Sequence, residues 1–484
     1  MRQTGSIMTH KNGRSAPVLG FVLTATIGLS GCATDETYNL PFFKFAKSYS
    51  SVSSQAVPVP LANETWWMGF KDPVFNELVT RSLAGNLDLE IAREKVIEAR
   101  ANRDAVPGLL NVSPTATHRY GQSPGGTASH TSNARLNLDW MLDPYGLRRQ
   151  QLQAASARVD IADAEEDAAR LTLLLNLSNA YVDLRYSQRL LNLRRQQLAS
   201  RRNAVTQTKQ LFDRRAATKL DVVQTEALVA ETQTQIPALI AAIRASKTEL
   251  AVLSGVAPGR LGIDLDRNAK QPRPSKALKT GVPADILRNR PDMQIAERSY
   301  YEAVTNVGIA RAELYPSLSL SGMVGYGASS GTDGLEYFVG PTINFPSLPL
   351  KASKSRVAAR HSRARQAYAG WQSTVLSSVS EVEAALAAYQ GSRSAVVESQ
   401  RRVRLNSEAR DLTQELLKRE GATIRDLINA EERIADADTA LADNLRQLAR
   451  NYVRLNIALG AGSKVGEPEK RIGQVDQAAD SGES

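Results

Sequence analysis

Few residues in this chain carry chemistry, and their placement excludes more than it offers. Four histidines, His10, His118, His130 and His361, are scattered so that no two have metal-ligand spacing. No phosphate loop or dinucleotide glycine pattern is present, so any transport would draw its energy from a partner. Neighbouring acids such as Glu165-Glu166 and Glu431-Glu432 face different sides of a helix, which makes them poor acid/base pairs. The expectation is a chain with no enzymatic activity, no metal and no cofactor. The one reactive residue in a patterned setting is Cys32, the only cysteine among 484 residues.

Arg2, Lys11 and Arg14 precede an apolar run, Val18 to Leu29, which ends in Ser30-Gly31 just before Cys32. That is the layout of a secretory signal peptide over residues 1–31. Its end resembles a bacterial lipobox, in which the thiol is alkylated by diacylglycerol and the cysteine becomes the first mature residue. The alternative is a plain signal peptide with an incidental thiol. Ala33 stands where an aspartate would signal retention at the inner membrane, so the expected destination is the outer membrane. With its thiol committed to lipid, the mature chain has no internal disulfide to stabilise it. No later segment approaches the roughly 20 apolar residues of a spanning helix. If the mature chain enters a membrane, it must do so as strands. The formal charge is +10. Its basic residues are scattered, as in Arg148-Arg149, Arg194-Arg195 and Arg201-Arg202, rather than massed into the stripe that nucleic acid requires. They read as solvated helix faces, with no nucleic-acid partner.

The elements that position these residues are duplicated. At a constant offset of 205 residues, Leu211, Arg214, Ala217, Thr218, Asp221 and Glu226 match Leu416, Arg419, Ala422, Thr423, Asp426 and Glu431. Near 204, Asp88, Ile91, Ala92 and Glu98 match Asp292, Ile295, Ala296 and Glu302. Two tandem repeats of about two hundred residues follow, each ordered helix, two strands, long helix, turn, helix. The first is expected over residues 73–256 and the second over 290–462, after a lipidated extended segment at 32–72. Residues 257–289, rich in proline and lysine, would join them around their middle, and residues 463–484 read as a disordered tail. Asp72-Pro73 is an N-cap followed by proline at the first helical position, opening a helix expected to run to Val106. From Leu147 to Ile236 there is neither proline nor glycine. There Leu152, Ala155, Val159, Ala162, Ala169, Leu173 and Ala180 form a coiled-coil-like seam of small residues. A helix from Leu147 to Phe212 would be roughly 100 Å long at about 1.5 Å per residue, and needs neighbours of equal length.

Two hairpins are expected, near 113–143 and 316–346. Leu136, Leu138, Trp140 and Leu142 alternate with Arg135, Asn137, Asp139 and Met141. Leu318, Leu320, Val324 and Tyr326 alternate with Ser317, Ser319, Ser321 and Met323, and Leu335, Tyr337, Val339, Ile343 and Phe345 with Glu336, Gly340, Thr342 and Asn344. Polar residues inward with an apolar and aromatic band outward is the pattern of a transmembrane barrel strand. An amphipathic sheet on a soluble core gives the same alternation. Strand lengths near the 9 to 11 residues of a tilted spanning strand favour the barrel. Four strands cannot close, since about eight is the smallest working barrel, and open edges are not tolerated in lipid. The barrel must then be shared, and three chains would supply twelve strands.

In the order and spacing of Trp66-Trp67, Phe70, Asp72-Pro73, Asn86-Leu87-Asp88-Leu89, Arg290-Pro291-Asp292, Ala296-Glu297, Gly308, Ala310, Glu381-Val382 and Gly421, nearly the whole mature chain resembles the TolC-like outer-membrane efflux family. The likeness is to its lipid-anchored OprM-like (NodT-type) branch. The resemblance implies a mixed α and β fold, a homotrimeric outer-membrane barrel of four strands per chain, continued by a long periplasmic helical barrel. It implies a passive exit duct for small molecules, served by an inner-membrane pump of the RND type through a periplasmic adaptor. An exit duct for type I protein secretion is the near alternative, and a structural trimeric coiled-coil lipoprotein the remoter one.

The resemblance also places Ala216, Ala217 and Thr218, with Gly421, Ala422 and Thr423, at the periplasmic tips that meet the adaptor. Gly421 is expected to be the left-handed residue ending its helix, and Ala216 to require a different turn. Asp426 would belong to a carboxylate ring at the entrance, with Asn429 where a second acid ring would otherwise lie. Asp221 and Arg425 resemble residues that tie adjacent hairpins, and as surface helix charges they would do no more than any exposed pair.

Overall fold

The computed structural model describes residues 65–122, 124–126, 128–267, 270–274, 289–329, 332–419 and 421–463. Cys32, the signal peptide, most of the 32–72 segment, the centre of the inter-repeat segment and the tail after Ser463 lie outside them. The described elements run α1 (Pro73–Gly85), α2 (Leu87–Asp104), β1 (Leu110–Gly121), β2 (Ser129–Leu142), α3 (Leu147–Asp213) and α4 (Lys219–Leu253). They repeat as α5 (Pro291–Ala312), β3 (Ser317–Ser329), β4 (Thr332–Asn344), α6 (Lys351–Lys418) and α7 (Ile424–Ala458). The long helices match closely, 67 residues in α3 against 68 in α6, and 35 in both α4 and α7. No described helix is long and apolar enough to cross a membrane.

The chain divides into two compact units. One takes residues 101–157 and 300–366 and contains the sheet. Its four strands lie in the order β1-β2-β3-β4, all antiparallel, so the two hairpins join through β2 and β3. At 12, 14, 13 and 13 residues the strands outrun the expected lengths.

The other unit holds α1, α4, α7 and most of α2, α3 and α6 around a core of Trp66, Phe70, Phe75, Leu78, Leu177, Tyr181, Leu250, Tyr389, Tyr452 and Val453. Trp66 and Phe70 belong to a 3₁₀ turn, Trp66–Phe70, and both meet the Tyr452 ring edge-on. Asp72 caps α1 as expected, accepting from the Val74 and Phe75 amides at 3.0 and 3.4 Å. Of the expected α3 seam, Ala155, Val159, Ala162, Leu173 and Ala180 are buried, whereas Leu152 is exposed.

The expected single helix to Val106 is instead two. Asn86 interrupts it in extended conformation. Its side chain accepts from the Leu89 amide at 3.0 Å and donates to the Leu253 carbonyl at 3.0 Å. The break lets the end of α4 come close, with Ser82 and Ser254 hydroxyls 2.8 Å apart. Gly255 follows with φ +70, and a Cβ there would run into the Gly85 carbonyl. Gly255→Ala is therefore expected to lower the melting temperature by several degrees. Left-handed backbone alone costs a non-glycine residue about 1–2 kcal/mol, and the clash adds to it. A melting curve unchanged from the parent would show that this junction yields freely.

Candidate functional site

Two regions, one in each unit, gather the functional candidates. In the sheet, register converts alternation into two faces. On one face the rows run Val112-Leu138-Gly322-Val339, Leu110-Trp140-Leu320-Pro341 and Pro114-Leu136-Val324-Tyr337. These are apolar, and all but the half-buried Leu320 and Gly322 are exposed, 37% at Leu138 and 74% at Val339. The opposite face carries the rows Asn111-Asp139-Ser321-Gly340 and Thr115-Arg135-Gly325-Glu336.

The second of those rows holds an ion pair that sequence reading missed. Arg135 Nε donates to Glu336 Oε1 at 2.7 Å, reaching over the intervening strand. The passage lies above Gly325, where an added Cβ would stand 2.7 Å from Arg135 Cγ. Two pleat repeats away, Ser321 donates to Asp139 at 2.8 Å. Met141, Met323 and Phe338 interrupt an otherwise polar surface. Such a face suits water and polar solutes, and the apolar one suits hydrocarbon.

In the helical unit the two tips are near copies. Thr218 caps α4 with φ −96 and ψ 162, and Thr423 caps α7 with φ −97 and ψ 162. In each, the threonine hydroxyl accepts from the aspartate amide three residues on, at 3.2 Å. The aspartate Oδ2 accepts the threonine amide at 2.9 Å and its hydroxyl at 2.7 Å in the first tip and 2.6 Å in the second. Asp221 and Asp426 are thus partners in capping boxes. The pattern Thr-x-x-Asp was present in the sequence to signal it. The threonine hydrogen bonds hold both carboxyls below the usual carboxylate range.

The turn chemistry differs from the expectation. The left-handed residue of the first tip is Arg215, with φ 61, and Gly421 is not left-handed. The Ala216 amide bonds the Leu211 carbonyl at 2.8 Å, and the Gly421 amide bonds the Leu416 carbonyl at 2.9 Å. Alanine and glycine serve the same reversal because neither has to adopt positive φ. Arg425 reaches across to the other tip and donates to Gln224 at 3.0 Å. It also contributes to the lowered Asp221 carboxyl, behind the Thr218 bonds and against a small burial effect. Asn429 lies exposed, three residues after Asp426 on α7.

Comparison with known proteins settles the class. The sequence profile of the outer membrane efflux proteins matches residues 78–256 and again residues 282–461. The chain belongs to the outer membrane efflux protein family. Nodulation protein T of Rhizobium leguminosarum bv. trifolii is 32% identical over 90% of this chain and 95% of its own length. The toluene efflux pump outer membrane protein TtgF of Pseudomonas putida is 29% identical over 67% of this chain and 72% of its own. Among solved structures, the outer-membrane channel OprN superposes with a TM-score of 0.80 at 29% identity, covering 89% of this chain and 99% of that one. This efflux protein therefore resides in the outer membrane and extends into the periplasm. It is an exit duct of the efflux class, as the resemblance implied. Its family is one of channels rather than of catalysts.

Proposed function

We propose that three copies of this chain close one twelve-stranded barrel, and that the duct conducts small molecules delivered by an inner-membrane pump through a periplasmic adaptor. The observation that carries this reading is the four-stranded sheet, with one apolar face, one polar face, and β1 and β4 each paired on a single side among the described residues. Four strands are too few to enclose a lumen, and unpaired edges in lipid would leave backbone groups unsatisfied. The relative named for toluene efflux favours small organic cargo over secreted protein. In this reading the chain catalyses nothing, an RND-type pump supplies the energy, and the matched tips at Ala216-Ala217-Thr218 and Gly421-Ala422-Thr423 receive the adaptor. Lipid on Cys32, outside the described residues, would anchor the duct independently of its strands. The mass of the detergent-solubilised protein is expected to be that of three chains. A stable monomer with full β content would sink the shared barrel.

Asp426 is proposed as the entrance carboxylate, three copies of it ringing the axis. Its Oδ2 is engaged by Thr423, while Oδ1 has no hydrogen bond among the described residues and stays available to cations. Asp426→Asn is expected to reduce cation preference in single-channel recordings and to weaken block by multivalent cations. Asparagine keeps an oxygen for the Thr423 amide, so the change removes charge and spares the cap. Within one chain the Thr423 hydrogen bonds lower the Asp426 carboxyl, while the two like charges of a ring oppose them, so the cation block should fade as pH falls through the carboxylate range. Unaltered selectivity in Asp426→Asn would return this residue to a purely capping role.

A further inference from the structure

A cleft of about 1220 Å³ opens in the helical unit between α3, α4, α7, residues 70–73, Asp266 and residues 270–273. Its wall is strongly basic. Lys247 is paired with Asp266 at 2.8 Å and Arg189 with Asp438 at 3.8 Å. Five further cations, Lys71, Arg195, Arg244, Lys270 and Arg273, line it without a carboxylate partner among the described residues. A third acid on the wall, Asp72, accepts from the Tyr181 hydroxyl, and with seven cations against three acids the concavity favours an anionic occupant.

The chain itself carries such an occupant. After Arg471 the sequence has no further lysine or arginine, while Asp476, Asp480 and Glu483 are acidic. The described chain leaves off at Ser463, which is tied to α3, its hydroxyl donating to Asp167 at 3.0 Å while Arg170 donates to the Gly462 carbonyl at 2.7 Å. Gln188, on the cleft wall, stands 18 residues beyond Arg170, about five turns, and so shares its face of α3. Arg195 lies a further seven residues along, on the order of 38 Å from Arg170 at about 1.5 Å per residue. The 13 residues from Ser463 to Asp476 span up to about 43 Å when extended. Tether, reach and charge agree. We infer that the acidic segment 472–484 seats in this basic cleft of its own chain.

The test uses the purified full chain in detergent, with a benzophenone amino acid at Gln477 and mapping of its photo-crosslinks by mass spectrometry. Crosslinks are expected into 188–195, 240–247 or 270–273. The double change Arg195→Glu with Arg244→Glu should lower their yield several-fold, as should raised salt, and Asp476→Lys with Asp480→Lys should restore the yield in that background. Melting curves of the same variants confirm that they are folded. Crosslinks to other parts of the chain, yields indifferent to charge reversal, or adducts of two chains would each overturn the inference. So would an added acidic peptide that binds the full chain as tightly as a chain ending at Arg471, since that outcome leaves the cleft open to an outside partner.

Discussion

Arginine in place of Leu138 is expected to keep the chain out of the outer membrane, whereas arginine at the adjacent Asn137 should leave insertion largely intact. The two positions are neighbours in β2 and differ only in face. Leu138 lies in the apolar row with Val112, Gly322 and Val339, and Asn137 in the row with Ser113, Met323 and Phe338. An arginine on the lipid face costs about 2–4 kcal/mol near the bilayer midplane, while lumen substitutions chiefly tune selectivity. In a shared barrel of three chains the penalty recurs in every copy, so the loss compounds. Quantifying each variant in outer-membrane fractions, and its resistance to urea extraction, separates them. Equal loss in both variants would mean that the faces are assigned the wrong way round.

The second large effect concerns Arg185, whose side chain is 0% exposed. Its guanidinium donates to the Tyr181 hydroxyl at 2.9 and 2.8 Å, to Gln188 at 3.0 Å, and to the Leu265 and Arg267 carbonyls at 2.8 and 3.1 Å. Its countercharges stand one residue removed: the Tyr181 hydroxyl donates in turn to Asp72, the cap of α1, and Gln188 donates to Asp266 at 3.0 Å. Burial is the main cause that pushes the Tyr181 phenol far above its ordinary value, with Arg185 opposing it, so the hydroxyl remains a donor at all working pH. Arg185→Met is expected to destabilise the fold by about 3–5 kcal/mol, the range for breaking a buried charge network. Arg185→Lys should recover little, since an ammonium cannot span the same forked set of acceptors. Thermal or urea denaturation of the detergent-solubilised protein measures both. A methionine variant as stable as the parent would show that the network adds no net stability.

What the sequence determined by itself was whatever depends on short-range order. Alternation in β2, β3 and β4 specified which residues share a face, because side chains in a strand point to opposite sides at period two. The Asp72-Pro73 cap was legible for a similar reason, since capping acts within three residues. The offset of 205 residues announced the duplication that α3 and α6, and then α4 and α7, display. Too few strands in one chain pointed to sharing between chains through a closure argument that needs no coordinates.

Tertiary structure alone decided the features that join distant segments. Arg135 and Glu336 are 201 residues apart, and nothing in either hairpin indicates that β2 and β3 pair in a register placing Gly325 between them. The break at Asn86 follows from the arrival of Gly255 and Leu253 from another helix, since the local sequence would otherwise continue the helical period. Arg185 falls outside the general reading of the basic residues as solvated helix faces, because periodicity cannot tell an exposed arginine from one that an incoming loop at 265–267 covers. At the tips the division runs through single residues. Thr-x-x-Asp fixed the capping boxes locally. Which residue turned left-handed was decided by the reversal of the whole hairpin, and it fell on Arg215 instead of the position shared by Ala216 and Gly421.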